Sequence, residues 1–299
     1  MFFHHKELAY TVRVDKPNPV FARMLQQAIG GPEGEIRVAM QYLFQGWGAR
    51  GGKRYRDMLI STGTEELGHI ELLCTAVAMN LEGAPAEVID NVVTDPLVAA
   101  RMGGMEPRHF LSSGLSAMPS DANGVPFNAA CIDVGGNLAS NLMANAAAEA
   151  VGRSLAARLW EATDDPGMKD MLQFLIARDT MHQNQWLAAL EELGPDAIPA
   201  PGEVKDDEEH AQFAYTFFSH SDSPMPQDAR WVSGPSMDGK GEFSLADPAP
   251  ALGQEPELQT VPESAHAGPE ATNPDSGNGS GVGDTVKRFA KDLQQAINV

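Results

Sequence analysis

The stretch TEELGHIELL, residues 64–73, decides how this chain is read. It has no proline, one glycine and several strong helix formers, so it predicts helix. Yet Glu65, Glu66, His69 and Glu71 sit there among apolar residues. Working outward, Tyr55, Leu59, Thr62, Glu66, His69, Leu73 and Ala76 follow a 4, 3, 4, 3, 4, 3 spacing. That spacing is one face of an α-helix. Glu66 and His69 lie on this face three residues apart, so their side chains are neighbours. Glu65 and Glu71 fall off it and read as solvated or interfacial acids.

A second segment repeats the arrangement. Leu172, Leu175, Asp179, His182, Trp186 and Ala189 share one helical face, and Asp179-x-x-His182 takes the place of Glu66-x-x-His69. Two further faces carry an acid each: Leu138, Leu142, Asn145, Glu149, Gly152 and Leu159 on one, Glu35, Val38, Tyr42 and Gln45 on the other. Glu35 precedes Glu66 by 31 residues, and Glu149 precedes Asp179 by 30. The chain therefore reads Glu…Glu-x-x-His twice, with Asp in the second copy. Helical bundles that hold two iron or two manganese ions between carboxylates carry this pattern.

Electrostatics points the same way. A buried ion costs several kcal/mol even after relaxation, and several acids together repel one another. The lysines and arginines lie mostly at helix ends (Lys53, Arg54, Arg56) or off these faces, with Arg153 and Arg178 as the exceptions. Two divalent cations would supply the missing positive charge. Carboxylate plus imidazole suits iron, manganese or zinc.

Four long proline-free helical patterns cover roughly 33–49, 53–80, 127–162 and 166–193. Pro32 and Pro166 suit first helical turns. Residues 81–126 make one long connection between the two pairs. The expected fold is all-α: a ferritin-like four-helix bundle with a long crossover. Residues 1–200 form its catalytic domain. Residues 201–299 hold 17 acids against 6 bases, with ten prolines and ten glycines. Such composition does not fold alone and reads as an extended, mostly irregular, acidic arm. Val286, Phe289, Leu293 and Ile297 share a face, so a short helix is expected at its end.

The chain is 299 residues long, 42% hydrophobic, with a net charge of −20. That charge argues against nucleic-acid or anionic-membrane partners, which select basic patches. Two cysteines, Cys74 and Cys131, give no disulfide framework. The start lacks the apolar stretch of a signal peptide, and no window is apolar enough to span a bilayer. A soluble, cytoplasmic protein is expected.

Over residues 1 to about 230 the sequence resembles the manganese (non-haem) catalases. The resemblance rests on GG-x-x-GE ending at Glu35, on Tyr42 seven residues later, on TEELGHIE, and on Glu149 and His182 spaced 33 apart. It implies decomposition of hydrogen peroxide to water and dioxygen at two manganese ions per subunit. The implied ligands are Glu35, Glu66, His69, Glu149 and His182, with Glu66 bridging. Asp179 stands where some members have a glutamate outside the ligand set, so the resemblance implies a proton carrier there. Tyr42 resembles the tyrosine that hydrogen-bonds the Glu35 carboxylate. Some members bind calcium at a subunit contact. Asp57 matches one such position, but Ser61 stands where another acid is expected and the later ligands near Ser219–Ser223 align poorly. The resemblance also implies a homo-oligomer, a hexamer, with C-terminal arms contacting neighbours. Three other readings fit the residues: a di-iron ferroxidase or iron-storage bundle, a di-iron oxidase of an organic substrate, and a structural bundle of the coat type.

Overall fold

A computed structural model of the chain describes residues 6–84, 104–194, 210 and 212–257. The helices are α1 (Pro19–Gly30), α2 (Glu35–Gly48), α3 (Lys53–Asn80), α4 (Pro107–Leu111), α5 (Leu138–Glu161) and α6 (Pro166–Leu193). At about 1.5 Å per residue, α3 and α6 are each about 42 Å long. Two segments were expected at 53–80 and 166–193, and the helices have those bounds.

The local chemistry explains where helices begin. Asp165 caps α6: its carboxylate accepts from the Gly167 and Met168 amides, while Pro166 supplies a ready-made helical φ at the first position. Asn137 caps α5 by accepting from Ser140 N at 2.9 Å. That cap corrects the sequence expectation of a helix over 127–162, because α5 starts only at Leu138. Gly136, at φ +72°, precedes the cap in a conformation that favours glycine. Upstream, the Asp133 backbone bonds to side chains on α2, with Asp133 N donating to Gln41 and Gln45 donating to Asp133 O.

α1 was not expected from the sequence. Asn18 accepts from Val20 N and Phe21 N, and Pro19 opens the helix. Its face of Phe21, Leu25 and Ile29 closes one end of the core. Gln26 on α1 ties down the described part of the crossover: its carboxamide bonds Met118 O, Ser120 O and Met118 N within 2.8 Å.

α2 packs along α3 and α5 along α6, joined by connections of a few residues; α2 also meets α5, and α3 meets α6. Two apolar clusters result. One combines α1 with Leu72, Leu73, Ala76 and Val77 of α3 and Met168, Met171, Leu172 and Leu175 of α6. The other combines Val38 and Tyr42 of α2, Tyr55 and Leu59 of α3, Leu142 of α5 and Trp186 of α6. Burying each large side chain contributes about 1.5–3 kcal/mol. On α3, Glu66 and His69 fall between the two clusters in sequence; on α6, Asp179 and His182 do. A polar belt therefore crosses the middle of an apolar interior.

The chain divides into two compact units. Met1–Tyr215 with Ser233–Phe243 make the first, and Thr216–Val232 with Ser244–Val299 the second. In the second, β1 (Thr216–Phe218) pairs in parallel with Ser244–Ala246, and Phe217 packs edge-on to Trp231 with ring centroids 4.8 Å apart. In the first, β2 (Gly234–Pro235) pairs antiparallel with Glu242 and Phe243. Residues Glu242–Ala246 form β3. The all-α fold thus carries a small sheet where the sequence suggested only irregular chain. The expected terminal helix, with Val286 to Ile297, lies outside the described residues. No helix among the described residues is long and apolar enough to cross a membrane.

Candidate metal centre

Four helices deliver the belt. Glu35 is the first residue of α2, directly after Gly34. Glu66 and His69 come from α3, Glu149 from α5, and Asp179 and His182 from α6. Glu66, His69, Glu149, Asp179 and His182 are all buried, the most exposed at 4%. The stripes drawn from helical spacing therefore face inward, as expected.

Within the belt, two groups each place three ligating atoms within 4.8 Å of one another: Glu35, Glu66 and His69, and Glu66, Glu149 and His182. Glu66 belongs to both. Its Oε2 lies 2.6 Å from His69 Nδ1, and its Oε1 lies 2.8 Å from His182 Nδ1. Glu35 approaches His69 Nδ1 at 3.9 Å, and Glu149 approaches His182 Nδ1 at 3.7 Å. Asp179 belongs to neither group. Among the described residues no such group includes Asp57, whose carboxylate takes the Lys53 ammonium at 2.7 Å.

A cation fits this donor set. Both oxygens of Glu66 and both ring nitrogens of His69 and His182 are buried with no hydrogen-bond partner in the protein. The ring nitrogens face carboxylates at 2.6–3.6 Å without an aligned hydrogen bond, and buried polar groups are ordinarily satisfied, so the cluster calls for a cation among these atoms. Two carboxylate–imidazole clusters sharing one carboxylate are donors for two divalent ions.

The ionisation pattern reports the same crowding. Burial, with the Glu66 charge added, pushes Glu149 up to about 8 and Asp179 up to about 7. Burial also drives Glu35 well above the carboxylate range. For Glu66 burial acts upward too, but the two histidines outweigh it and hold the group at about 2. His182 is raised to about 9 because Glu65 and Glu66 outweigh burial, and His69 is raised well above its ordinary value by the same acids. Without metal, the acids thus favour the charged form of both imidazoles that face Glu66.

The geometry corrects one expectation and narrows another. Tyr42 does not bond Glu35. Its hydroxyl donates to Glu149 Oε1, which Trp186 Nε1 also approaches at 3.4 Å. Seven residues along α2 separate Glu35 and Tyr42 by about 10 Å along the axis, so the tyrosine reaches across to α5 instead. Glu65, expected to be solvated or interfacial, is interfacial and outside both ligand groups, but it also reaches the histidines. It accepts from Arg178 Nε at 2.6 Å and Nη2 at 3.2 Å, and lies 3.2 Å from His182 Nε2 and 3.6 Å from His69 Nε2. Face-drawing missed it, although its spacing of four from His69 held the signal.

The geometry agrees with the relatives. A family model described as manganese containing catalase matches residues 1–276. A manganese catalase of Bacillus subtilis (strain 168) is 44% identical over 267 residues, covering 89% of this chain and 97% of the relative. A manganese catalase of Lactiplantibacillus plantarum is 40% identical over 223 residues, covering 74% and 83%. In structure, the chain is similar to KatB, a manganese catalase from Anabaena, with a TM-score of 0.63 at 25% identity, over 83% of this chain and 100% of that one. The chain belongs to the manganese-containing catalases, enzymes that decompose hydrogen peroxide to water and dioxygen at a dimanganese centre.

Proposed function

We propose that this chain decomposes hydrogen peroxide at two manganese ions held by Glu35, Glu66, His69, Glu149 and His182, with Glu66 shared between them. The observation that carries this reading is the set of orphaned buried atoms on Glu66, His69 and His182. Manganese, when bound, supplies paired one-electron changes, so that two peroxide molecules become two waters and one dioxygen. The remaining work belongs to the protein.

Glu66 directs one oxygen toward each histidine and so fixes the spacing of the two positions. Tyr42 and Trp186 both approach Glu149 Oε1 and so hold that carboxylate in place. Asp179, buried in the belt yet outside both ligand groups, is assigned the role of taking and returning a proton. The apolar clusters on either side keep bulk water away from the reacting atoms.

The four long helices fit a ferritin-like four-helix bundle over residues 1–200, with 201–299 as an acidic arm. The arm suits clasping a neighbouring copy in a homo-oligomer, a hexamer, in the cytoplasm. The ferroxidase, oxidase and coat readings gain no support from a relative named for peroxide chemistry over nearly its whole length.

The test is direct. Purified, manganese-loaded protein mixed with hydrogen peroxide is expected to evolve oxygen in the presence of haem poisons. Glu66→Ala and His182→Ala are expected to lose both metal and turnover. Full activity in either variant overturns the ligand assignment.

A further inference from the structure

Glu65 approaches the centre from behind the histidines. It stands four residues before His69 on α3, and Arg178 stands four residues before His182 on α6. Arg178 grips both Glu65 oxygens, through Nε at 2.6 Å and Nη2 at 3.2 Å. A two-point grip of this kind fixes the plane of a carboxylate as well as its position. Glu65 Oε2 then lies 3.2 Å from His182 Nε2, and Oε1 lies 3.6 Å from His69 Nε2.

The other edge of each ring faces Glu66 through Nδ1. Both imidazoles are thus placed between an inner carboxylate and an outer one. The rings lie 5.7 Å apart between centroids, inclined by 23°. That disposition lets a single outer carboxylate serve both. An imidazole that binds metal through one nitrogen has its rotation and tautomer set by the acceptor of its other N–H.

We propose that Glu65, held by Arg178, is a positioning residue shared by both histidines: it selects Nδ1 as the metal-binding nitrogen of His69 and His182 and ties the orientation of one ring to that of the other. The proposal rests on the metal centre described under Proposed function. Neither Nε2 makes a well-aligned hydrogen bond without metal. The alignment the proposal requires is a rotation about χ2, a soft torsion, over the 3.2 and 3.6 Å that separate each Nε2 from Glu65. The competing account makes Glu65–Arg178 an ion pair joining α3 to α6 and nothing more.

The experiment compares full-length parent, Glu65→Ala, Glu65→Gln and Arg178→Ala. Three quantities are read: manganese per chain, the rate of manganese loss to excess chelator, and the electron paramagnetic resonance spectrum of the reduced, loaded protein. Thermal midpoints of the metal-free proteins report what Glu65 contributes, through Arg178 and the two histidines, before metal binds. Glu65→Ala is expected to lose manganese on the order of 10–100-fold faster than parent, with an altered spectrum. Glu65→Gln keeps the shape of the side chain, so it carries the test if the alanine variant does not fold; it too is expected to release manganese faster. Glu65 variants with parental release rate and spectrum, whether or not the metal-free midpoint falls, overturn the proposal. If the parent itself binds no pair of manganese ions, the centre is overturned and the proposal with it.

Discussion

The Tyr42 hydroxyl donates to Glu149 Oε1 across the gap from α2 to α5. Trp186 Nε1 at 3.4 Å and His182 Nδ1 at 3.7 Å approach the same oxygen from farther away. Tyr42→Phe removes the short bond and keeps the ring that packs against Trp186 with centroids 5.0 Å apart. In the metal-free protein burial keeps Glu149 protonated up to about 8, so the bond to a charged carboxylate, worth about 1.5–3 kcal/mol, is realised only when metal binds. Manganese titrated into metal-free Tyr42→Phe is therefore expected to bind about 10–100-fold more weakly, and parental affinity would remove Tyr42 from the site.

Metal-free protein is expected to lose stability as pH rises from about 4.5 to about 9. Glu149 is raised from 4.5 to about 8 and Asp179 from 3.8 to about 7, chiefly by burial. Each keeps its proton in the folded chain after the unfolded chain has lost it. That contribution fades as pH climbs through the folded value. His182, raised from 6.5 to about 9 by Glu65 and Glu66 against burial, acts in the same direction: its contribution is complete below about 6.5 and gone above about 9. Glu66, held at about 2, stabilises uniformly across this window. Manganese replaces the protons, so loading near pH 7 is expected to release protons into unbuffered solution and flatten the profile. Calorimetry of the metal-free protein at several pH values checks the slope. A midpoint that rises with pH contradicts the account.

The metal-bearing faces were legible because helical spacing and burial agree there. Every residue of the Tyr55-to-Ala76 stripe is buried, as is every residue from Leu172 to Ala189 on the matching one. What was missed follows from physics that a stripe does not carry. Glu65 lies about 100° around the helix from Glu66, at the stripe's edge, and only its partner Arg178 on another helix reveals its use. α1 was signalled by Asn18 and Pro19, a cap and a first-turn proline, in a segment too short to show a long period. The helix expected over 127–162, a proline-free stretch, is shorter because Gly135, Gly136 and the Asn137 cap delay its start to Leu138. The sheet pairs Thr216–Phe218 with residues 28 positions away, a separation that local pattern does not report.

Gly152 faces the belt within α5. A methyl group there would meet Glu33 O at 3.6 Å and Asp179 Oδ2 at 3.8 Å, both ordinary contacts. Alanine in a helix interior is favoured over glycine by about 0.5–1 kcal/mol. Gly152→Ala is expected to raise the thermal midpoint by roughly 1–4 °C. A fall would mean that Asp179 needs the space.

Asp165 joins two segments. One of its oxygens caps α6 through Gly167 N and Met168 N, and the other accepts from Asp15 N and Lys16 N. Asp165→Ala is expected to cost about 1–2 kcal/mol through the cap alone. Gly167→Ala is expected to cost more, because its methyl would sit 2.1 Å from Arg13 O and backbone must move. Denaturant unfolding of both variants checks the order; Gly167→Ala as stable as Asp165→Ala would contradict it.

Glu35 begins α2 and leaves 13% of its side chain open, whereas Glu66, Glu149 and His182 are exposed by 3% or less. Of the two ligand groups, the one holding Glu35 is therefore the more exposed. Exchange is expected to start there, with the Glu149–His182 group emptied second. Chelator-stripped samples taken part-way should show the six-line resonance of isolated Mn(II), and emptying should proceed in two stages rather than one.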